Sequence, residues 1–408
     1  MITNNKNFNV TKTGIKGSVT RNGYNFNVGT VPFIITVDSG ASGSFDIPTF
    51  VGTYDYNVNT SDGQRILGNT GDLTITFPNI NTIYTIEISG FFPMIYLNAG
   101  LSNGGKLLSV EQFGIYGKTS TYQKYAFRGA TNMVMNATDS GYFGEVIDVN
   151  LQFAWFNCSS MTSFPLIDVS GSYYLHSTWR GCTSLTSFPL IDTSSITILY
   201  RTWGSCKALT TFPLIDTSNM TSIRLAWFNC RSMTSFPSID TSSVTNFDRA
   251  WYVCLDLLEM PFIDTSLGTY FYRTWASCAS LTSFPALDFS SGTNFNRAWE
   301  NCTSLTSFPA LDFSSGTDFI STWFGCTILE NFPLNSFDNC SATIFNDAFI
   351  STNLTEASID GILVSIESNG TSNGRFDQSG GNAPSVTGEA AIDLLRGRGW
   401  TITVEGGY

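Results

Sequence analysis

The residues best suited to chemistry in this chain are nine cysteines, a single histidine and a column of aspartates. Eight Trp-x-x-Cys pairs, from Trp155/Cys158 to Trp323/Cys326, follow one another at intervals of 24 residues. Zinc sites use clustered Cys-x-x-Cys or His ligands, which this interval does not provide. Nine is an odd number, and the even spacing singles out no disulfide pairing. We therefore predict buried, reduced thiols that fill space as small apolar side chains.

His176 is the only histidine, so catalytic triads, Cys–His dyads and histidine metal sites are disfavoured. A glycosidase needs only two carboxylates, and one aspartate recurs in seven units. These are Asp168, Asp192, Asp216, Asp240, Asp264, Asp288 and Asp312. One aspartate per unit, followed by a small polar residue, is typical of a turn, and it supplies few of the roughly 6 to 8 oxygens that Ca²⁺ requires. We therefore predict no catalytic residue, no metal, no cofactor and a protein that is not an enzyme.

Two ladders of polar side chains are candidate binding surfaces. The first consists of arginines at or near the position two residues before each tryptophan, with tyrosines beside them: Arg201, Arg224, Arg249, Arg273, Arg297, Tyr200 and Tyr272. Arginine and tyrosine anchor many recognition surfaces, so this stripe could bind an anionic polysaccharide. The alternative is a solvated face whose arginines neutralise neighbouring carboxylates.

The second ladder is a threonine column that precedes each Phe-Pro pair and offers an alternative binding face. Its members are Thr162, Thr186, Thr210, Thr234, Thr282 and Thr306. Hydroxyl groups repeated at the strand spacing could contact a glycan. Small β-branched residues also simply suit an exposed strand, without any ligand.

The 24-residue period predicts the elements that position these side chains. Apolar residues recur every third residue, as in Cys182, Leu185, Phe188 and Ile191. That spacing fits neither a helix nor a long strand. Units of this size cannot bury an apolar face alone, so neighbouring units must stack. We expect each unit to contain one short strand and turn-like backbone.

The unit Ala154-Trp155-x-x-Cys158-x-x-Met161-x-x-Phe164-Pro165 resembles the BspA-like leucine-rich repeat, with Trp in place of the family's usual Phe. Ala126-Phe127 and Ala348-Phe349 resemble degenerate end repeats. The resemblance implies a leucine-rich-repeat solenoid over residues 106–354, with regular repeats at 151–340. It also implies a surface-displayed protein that binds cells, matrix or host molecules, and related arrays occur in phage tail and virion proteins.

The regions before the array are predicted to be a polar N-terminal arm, residues 1–28, and a β-sandwich, residues 29–105. Four short β segments support the sandwich: Phe33–Val37, Tyr54–Val58, Leu73–Phe77 and Thr82–Ser89. Thr60-Ser61-Asp62-Gly63 is similar to the core of PKD-like domains, which usually act as spacers. We expect Lys106–Gly114 to form the hinge to the array.

The last segment, residues 355–408, is predicted to be a small α/β cap. Thr355–Glu367 and Glu389–Leu395 have helical spacing, and Arg398–Val404 is typical of a terminal strand. The glycine-rich run Gly370–Gly381 lacks the Gly-Lys-Thr/Ser of a phosphate loop. We expect it to be a loop.

Composition restricts partners and location. A net charge of −12 with few Lys and Arg argues against nucleic acid and against insertion into anionic membranes. The first residues show no apolar signal segment, which favours a virion protein, on the tail or the capsid surface, over an exported one. We therefore predict a mainly β phage tail-fibre adhesin that recognises a host cell-surface glycan or protein, with the arm docking onto other virion proteins and the chain forming a homo-oligomer such as a trimer. The alternatives are a capsid decoration or fibre protein without a receptor role, and an extracellular cell-surface adhesin.

Overall fold

A computed structural model describes residues 31–50, 52–97, 103–117, 121–139 and 147–408. For residues 17–21 and 24–28 it describes the strand backbone alone. These residues are mainly β, with fifteen strands and two helices. Residues 1–16 of the predicted arm lie outside the described residues. Among the described residues of the arm, β1 (Gly17–Arg21) pairs antiparallel with β2 (Tyr24–Val28).

The N-terminal region contains a six-stranded sheet in the order β10-β9-β3-β8-β5-β6 and a two-stranded sheet of β4 and β7. Alternate residues of β3, β4, β5 and β8 are buried, as expected for sheets that share one apolar core. The strand bounds are β3 Phe33–Asp38, β4 Ser44–Ile47, β5 Asp55–Thr60, β6 Arg65–Asn69, β7 Leu73–Thr76, β8 Ile83–Phe91, β9 Leu107–Gln112 and β10 Val134–Met135.

The four strands predicted for this region are confirmed as β3, β5, β7 and β8. The hinge predicted at Lys106–Gly114 is wrong over most of its length. Leu107–Gln112 forms β9, which pairs with β3 on one side and with β10 on the other. Leu107 and Val110 are fully buried, so apolar burial draws this segment into the sheet.

The 24-residue units stack through backbone hydrogen bonds between equivalent positions. Trp203 N–H donates to the Ala226 carbonyl at 2.9 Å, and Trp227 N–H donates to the Ala250 carbonyl at 3.0 Å. A ladder of single parallel bridges also links the position five residues before each tryptophan, from Ile198 to Asp318. Each unit thus satisfies its backbone by pairing with its neighbours.

The backbone around each tryptophan is a chain of turns, and in most described units the predicted short strand is reduced to isolated parallel bridges. The Trp203 carbonyl accepts the Cys206 N–H at 3.1 Å, and Ser205 between them has φ of 63°. A positive φ at the third residue of such a turn is the type II geometry. In the regular array the described strands are short: β11 (Val149–Asn150) pairs in parallel with β12 (Ser172–Tyr174).

The core of the array is a stack of aromatic rings. Trp203 and Trp227 are parallel to within 3° with ring centroids 5.9 Å apart, and Phe212 meets Trp227 edge to face at 5.2 Å. Phe127 and Phe349 continue the tryptophan stack at its two ends, against Trp155 and Trp323 respectively. Offset and edge-to-face packing are the favoured aromatic geometries.

Two helices and a three-stranded parallel sheet end the chain. The elements are β13 Ile344–Phe349, α1 Glu356–Ser368, β14 Arg375–Gln378, α2 Val386–Gly397 and β15 Thr401–Thr403, with sheet order β13-β14-β15. Both predicted helices and the terminal strand are therefore confirmed. The predicted loop at Gly370–Gly381 is wrong at β14, which is the central strand of this sheet. β14 buries Phe376, Asp377 and Gln378, although the composition of the stretch is typical of a loop.

Candidate ligand-binding face

Three columns of side chains form one face of the array, which we call the basic face. They lie three residues before, two residues before and one residue after each tryptophan. The turns fix their direction, since the residue two before the tryptophan has positive φ, for example 57° at Arg201, 54° at Arg249 and 52° at Arg273. Most side chains here are half-buried, so the face is a packed surface.

All seven arginines and tyrosines predicted for this stripe lie on the basic face. In its C-terminal half the arginines are paired with carboxylates. Arg224 Nε and Arg249 Nη1 lie 2.6 and 3.2 Å from Asp248, whose side chain is only 4% exposed. Arg273 and Arg297 both lie 3.6 Å from Glu300. The neutralised-face alternative therefore describes this half of the stripe.

Two tyrosines pack under these arginines. The Arg249 guanidinium lies 4.4 Å from the Tyr272 ring centroid, and Arg224 lies 5.3 Å from that of Tyr200. Cation–π contacts of this kind hold the guanidinium groups flat against the surface. Tyr270, two residues from Tyr272, is 39% exposed and belongs to the neighbouring bridge ladder.

The N-terminal half of the basic face is rich in aromatic rings. Arg201 lies over Tyr200 at 4.9 Å, and His176 lies between Tyr200 and Phe153, with centroid distances of 4.6 and 5.0 Å. Burial lowers the pKa of His176, and Arg201 lowers it further, as do Lys124 and Arg180. His176 is therefore surrounded by positive charge.

Arg180 is a site residue that sequence reasoning missed. Its guanidinium lies 5.4 Å from the Phe156 centroid and 5.6 Å from the Phe228 centroid. Gly204 permits this arrangement, because a Cβ there would collide with the Phe228 ring. The sequence signal is the 24-residue interval, because Phe156, Arg180, Gly204 and Phe228 each directly follow the tryptophan of their unit.

The alternative threonine face is exposed and internally hydrogen-bonded. Thr186 donates to the Thr162 carbonyl through its backbone at 3.0 Å and through its hydroxyl at 3.1 Å. Thr210, Thr234 and Thr282 repeat this pattern with the preceding unit. The hydroxyl protons are thus committed to the backbone.

A second threonine ladder, which sequence reasoning did not single out, has the same geometry. Its members are Thr197, Thr221, Thr245, Thr269, Thr293 and Thr317. Its regular 24-residue interval is visible in the sequence. In both ladders these threonine hydroxyls join a unit to the preceding one by a hydrogen bond to a backbone carbonyl.

The aspartate column fixes turns, as predicted. Asp240 Oδ1 accepts the Ser242 N–H at 3.0 Å and the Ser242 hydroxyl at 2.7 Å. These hydrogen bonds lower the pKa of Asp240, and the equivalent bonds from Ser194 lower that of Asp192. In the described parts of the chain, no group of three or more His, Cys, Asp or Glu residues could hold a metal ion.

The cysteines are buried and free of disulfides, as predicted. Burial raises the pKa of the Cys254 thiol to about 12, and it raises that of Cys230 well above its usual value. Such thiols are poor nucleophiles. Among the helices described, none is long and apolar enough to cross a bilayer.

Comparisons with protein-family models and with curated proteins give no significant match. Function is therefore inferred from the chain's own side chains and their arrangement.

Proposed function

We propose that the chain is a non-enzymatic binding protein, a phage tail-fibre adhesin that holds a host cell-surface glycan or protein on the basic face of its repeat array. In this proposal the array is a BspA-like leucine-rich-repeat solenoid, and the N-terminal sheets form a PKD-like sandwich that acts as a spacer. The virion, at the tail or the capsid surface, is the proposed location.

The observation that carries the proposal is the basic face itself. An acidic chain with net charge −12 gathers arginines and aromatic rings in one continuous stripe, and the rings hold the guanidinium groups in place. Fixing these side chains before binding lowers the conformational entropy lost on binding. Tyr and Arg are also the residues that most often dominate binding energy.

The stacked units support the solenoid proposal. Equivalent residues of successive units pair along the array, and the aromatic stack continues from Trp155 to Trp323. Arrays built in this way present extended surfaces on which neighbouring units repeat the same side-chain positions. A polymeric ligand with regular chemistry is the natural match for such a surface.

Binding of the full-length protein to intact candidate host cells, and to polysaccharides extracted from them, tests the proposal. Alanine at Arg201, Arg249, Arg273 and Arg297 should abolish saturable binding. Valine at Thr186, Thr210 and Thr234, a matched change on the alternative face, should leave it intact. No binding by the folded wild-type protein to any host surface would contradict the adhesin function.

A structural role, as a capsid decoration or fibre element, is favoured by one further observation. The residue after each proline forms an exposed column that includes Leu166, Leu190, Leu214 and Phe262, with exposed fractions of 64, 61, 61 and 68%. Exposed apolar ladders are costly unless another surface covers them. Co-assembly of the chain with purified virion particles lacking it, without any host binding, is the outcome that this role predicts.

A further inference from the structure

Four basic residues in the N-terminal half of the basic face differ from the arginines of the C-terminal half. Lys124, His176, Arg180 and Arg201 make no ion pair with any carboxylate in the described residues. The arginines of the other half share Asp248 and Glu300. Both halves have the same backbone, so this difference comes from the side chains alone.

Two aromatic rings flank the guanidinium group of Arg180. The Phe156 and Phe228 rings lie on either side of its guanidinium, 5.4 and 5.6 Å away. Rings that cover the two faces of a guanidinium leave its edge, with the N–H donors, as the available surface. That edge matches the two oxygens of a carboxylate or sulfate.

Positively charged side chains lie around both Arg180 and His176. Burial lowers the pKa of Arg180, and so does the positive charge of Arg201. The positive charges of Arg201, Lys124 and Arg180 likewise lower the pKa of His176. Like charges placed together without a counterion repel one another, and an anion would relieve that repulsion.

Aromatic rings lie between the charged positions. Phe153 and Tyr200 flank His176, and Tyr125 stacks on Phe153 at 5.3 Å. Neighbouring units that bridge as strands are about 4.8 Å apart, so Lys124 and Arg180, two units apart, are separated by about 10 Å along the array. This alternation of basic side chains and aromatic rings suits an extended polysaccharide that presents charged groups and apolar sugar faces in turn.

We infer that Lys124, His176, Arg180 and Arg201 form a subsite for an acidic polysaccharide, with carboxylate or sulfate groups on the Arg180 edge and sugar rings on Phe153 and Tyr200. This inference rests on the proposed binding role of the basic face and assigns its ligand class. It moves the principal contact from the paired arginines of the C-terminal half to these four basic residues.

Binding of the full-length chain to heparin, alginate and neutral dextran, measured by calorimetry, tests this subsite. Sulfated heparin and carboxylated alginate distinguish the two anionic groups, and dextran should not bind. Arg180→Gln with Arg201→Gln should weaken binding by at least about tenfold, because it removes charge-assisted hydrogen bonds to the anion. Arg65→Gln with Arg231→Gln removes the same charge at two exposed positions outside the basic face and should change binding less than about threefold.

His176 gives an independent measurement, since it is the chain's single histidine and its NMR signal is unambiguous. Saturation with the acidic polysaccharide should raise its pKa, because the anion offsets the surrounding positive charge. Gly204→Ala, which displaces Phe228 from Arg180, should also weaken binding. A cooperative unfolding transition of this variant shows that it is still folded.

The outcomes separate this inference from the proposed function. Host-surface binding that survives loss of Arg180 and Arg201 but not of Arg273 and Arg297 would overturn the subsite and keep the adhesin. Host-surface binding with no affinity for heparin or alginate would overturn the ligand class alone. The absence of both kinds of binding would contradict the inference and the proposed function together.

Discussion

The Cys230 thiol donates a hydrogen bond to the Trp203 carbonyl oxygen of the preceding unit at 3.3 Å. The same oxygen accepts the Cys206 N–H at 3.1 Å. Equivalent thiol bonds repeat along the array. Cysteine thus fills a narrow core position and also joins two units, which explains its recurrence without redox or metal chemistry.

Thiol ionisation should make stability fall at alkaline pH. Burial raises the pKa of Cys254 from 9.0 to about 12 in the folded chain. The unfolded chain therefore loses this proton first, so the stabilising contribution is complete below pH 9 and is lost as pH rises towards 12. Urea unfolding from pH 8 to pH 10 should show a smaller loss of stability in Cys254→Ser than in the wild type. Identical pH dependence in the two proteins would contradict this assignment.

Glycine and phenylalanine are matched in the later units. A Cβ at Gly292 would collide with the Phe295 ring, whereas the earlier pair Ile196 and Leu199 fills the same space with two medium side chains, both fully buried. Gly292→Val should lower the free energy of unfolding by about 1–3 kcal/mol through overpacking. The double variant Gly292→Val/Phe295→Leu should recover part of that loss. A double variant no more stable than the single one would show that the two positions do not share a cavity.

Val253 occupies a strained position. Its φ is 63°, and the same column holds Asn229 and Asn301, both with φ of 59°. A β-branched residue rarely adopts this conformation, whereas asparagine tolerates it. Val253→Asn should raise the free energy of unfolding by about 1 kcal/mol, and Asn229→Val should lower it by a similar amount. Denaturant titration of both variants checks the pair, and a destabilised Val253→Asn protein would show that valine is held there by packing.

The tryptophan column should tolerate phenylalanine. Trp227 is fully buried, and its indole N–H has no acceptor in the described residues. Phenylalanine keeps the stack and removes an unsatisfied donor, so Trp227→Phe should cost less than about 1.5 kcal/mol. Trp227→Ala should cost about 3–5 kcal/mol because it opens a cavity. Thermal and urea unfolding measure both changes, and equal losses in the two variants would contradict the ring-stacking explanation.

The repeat array was predictable because its signal is redundant. The columns of Trp203, Cys206 and Leu209 recur in every regular unit, and all are buried. The turn role of Asp240 was predictable from its type and the following serine. The prediction of one short strand per unit was wrong for most described units. Residues such as Arg201 and Ser205 adopt positive φ although they are not glycine, and their side-chain types do not reveal this backbone conformation.

The binding face was only partly predictable. The arginines two residues before four of the tryptophans are visible in the sequence, but their pairing with Asp248 and Glu300 depends on which columns become neighbours across units. Arg180 is the only arginine that directly follows the tryptophan of a Trp-x-x-Cys unit. Its environment comes from Phe156 and Phe228, which are distant in sequence and meet only through stacking. The segment β9 was misplaced for a similar reason, since its partner β3 lies far away in the chain.

The most direct test of a binding role without catalysis follows the ligand as well as the protein. Purified surface polysaccharide from a host that the chain binds is incubated with the full-length protein, and both the bound fraction and the polymer length are measured over time. The basic-face account predicts saturable binding that weakens as salt rises and a polysaccharide whose length does not change. Progressive shortening of the polymer, or binding that is indifferent to salt, would contradict it.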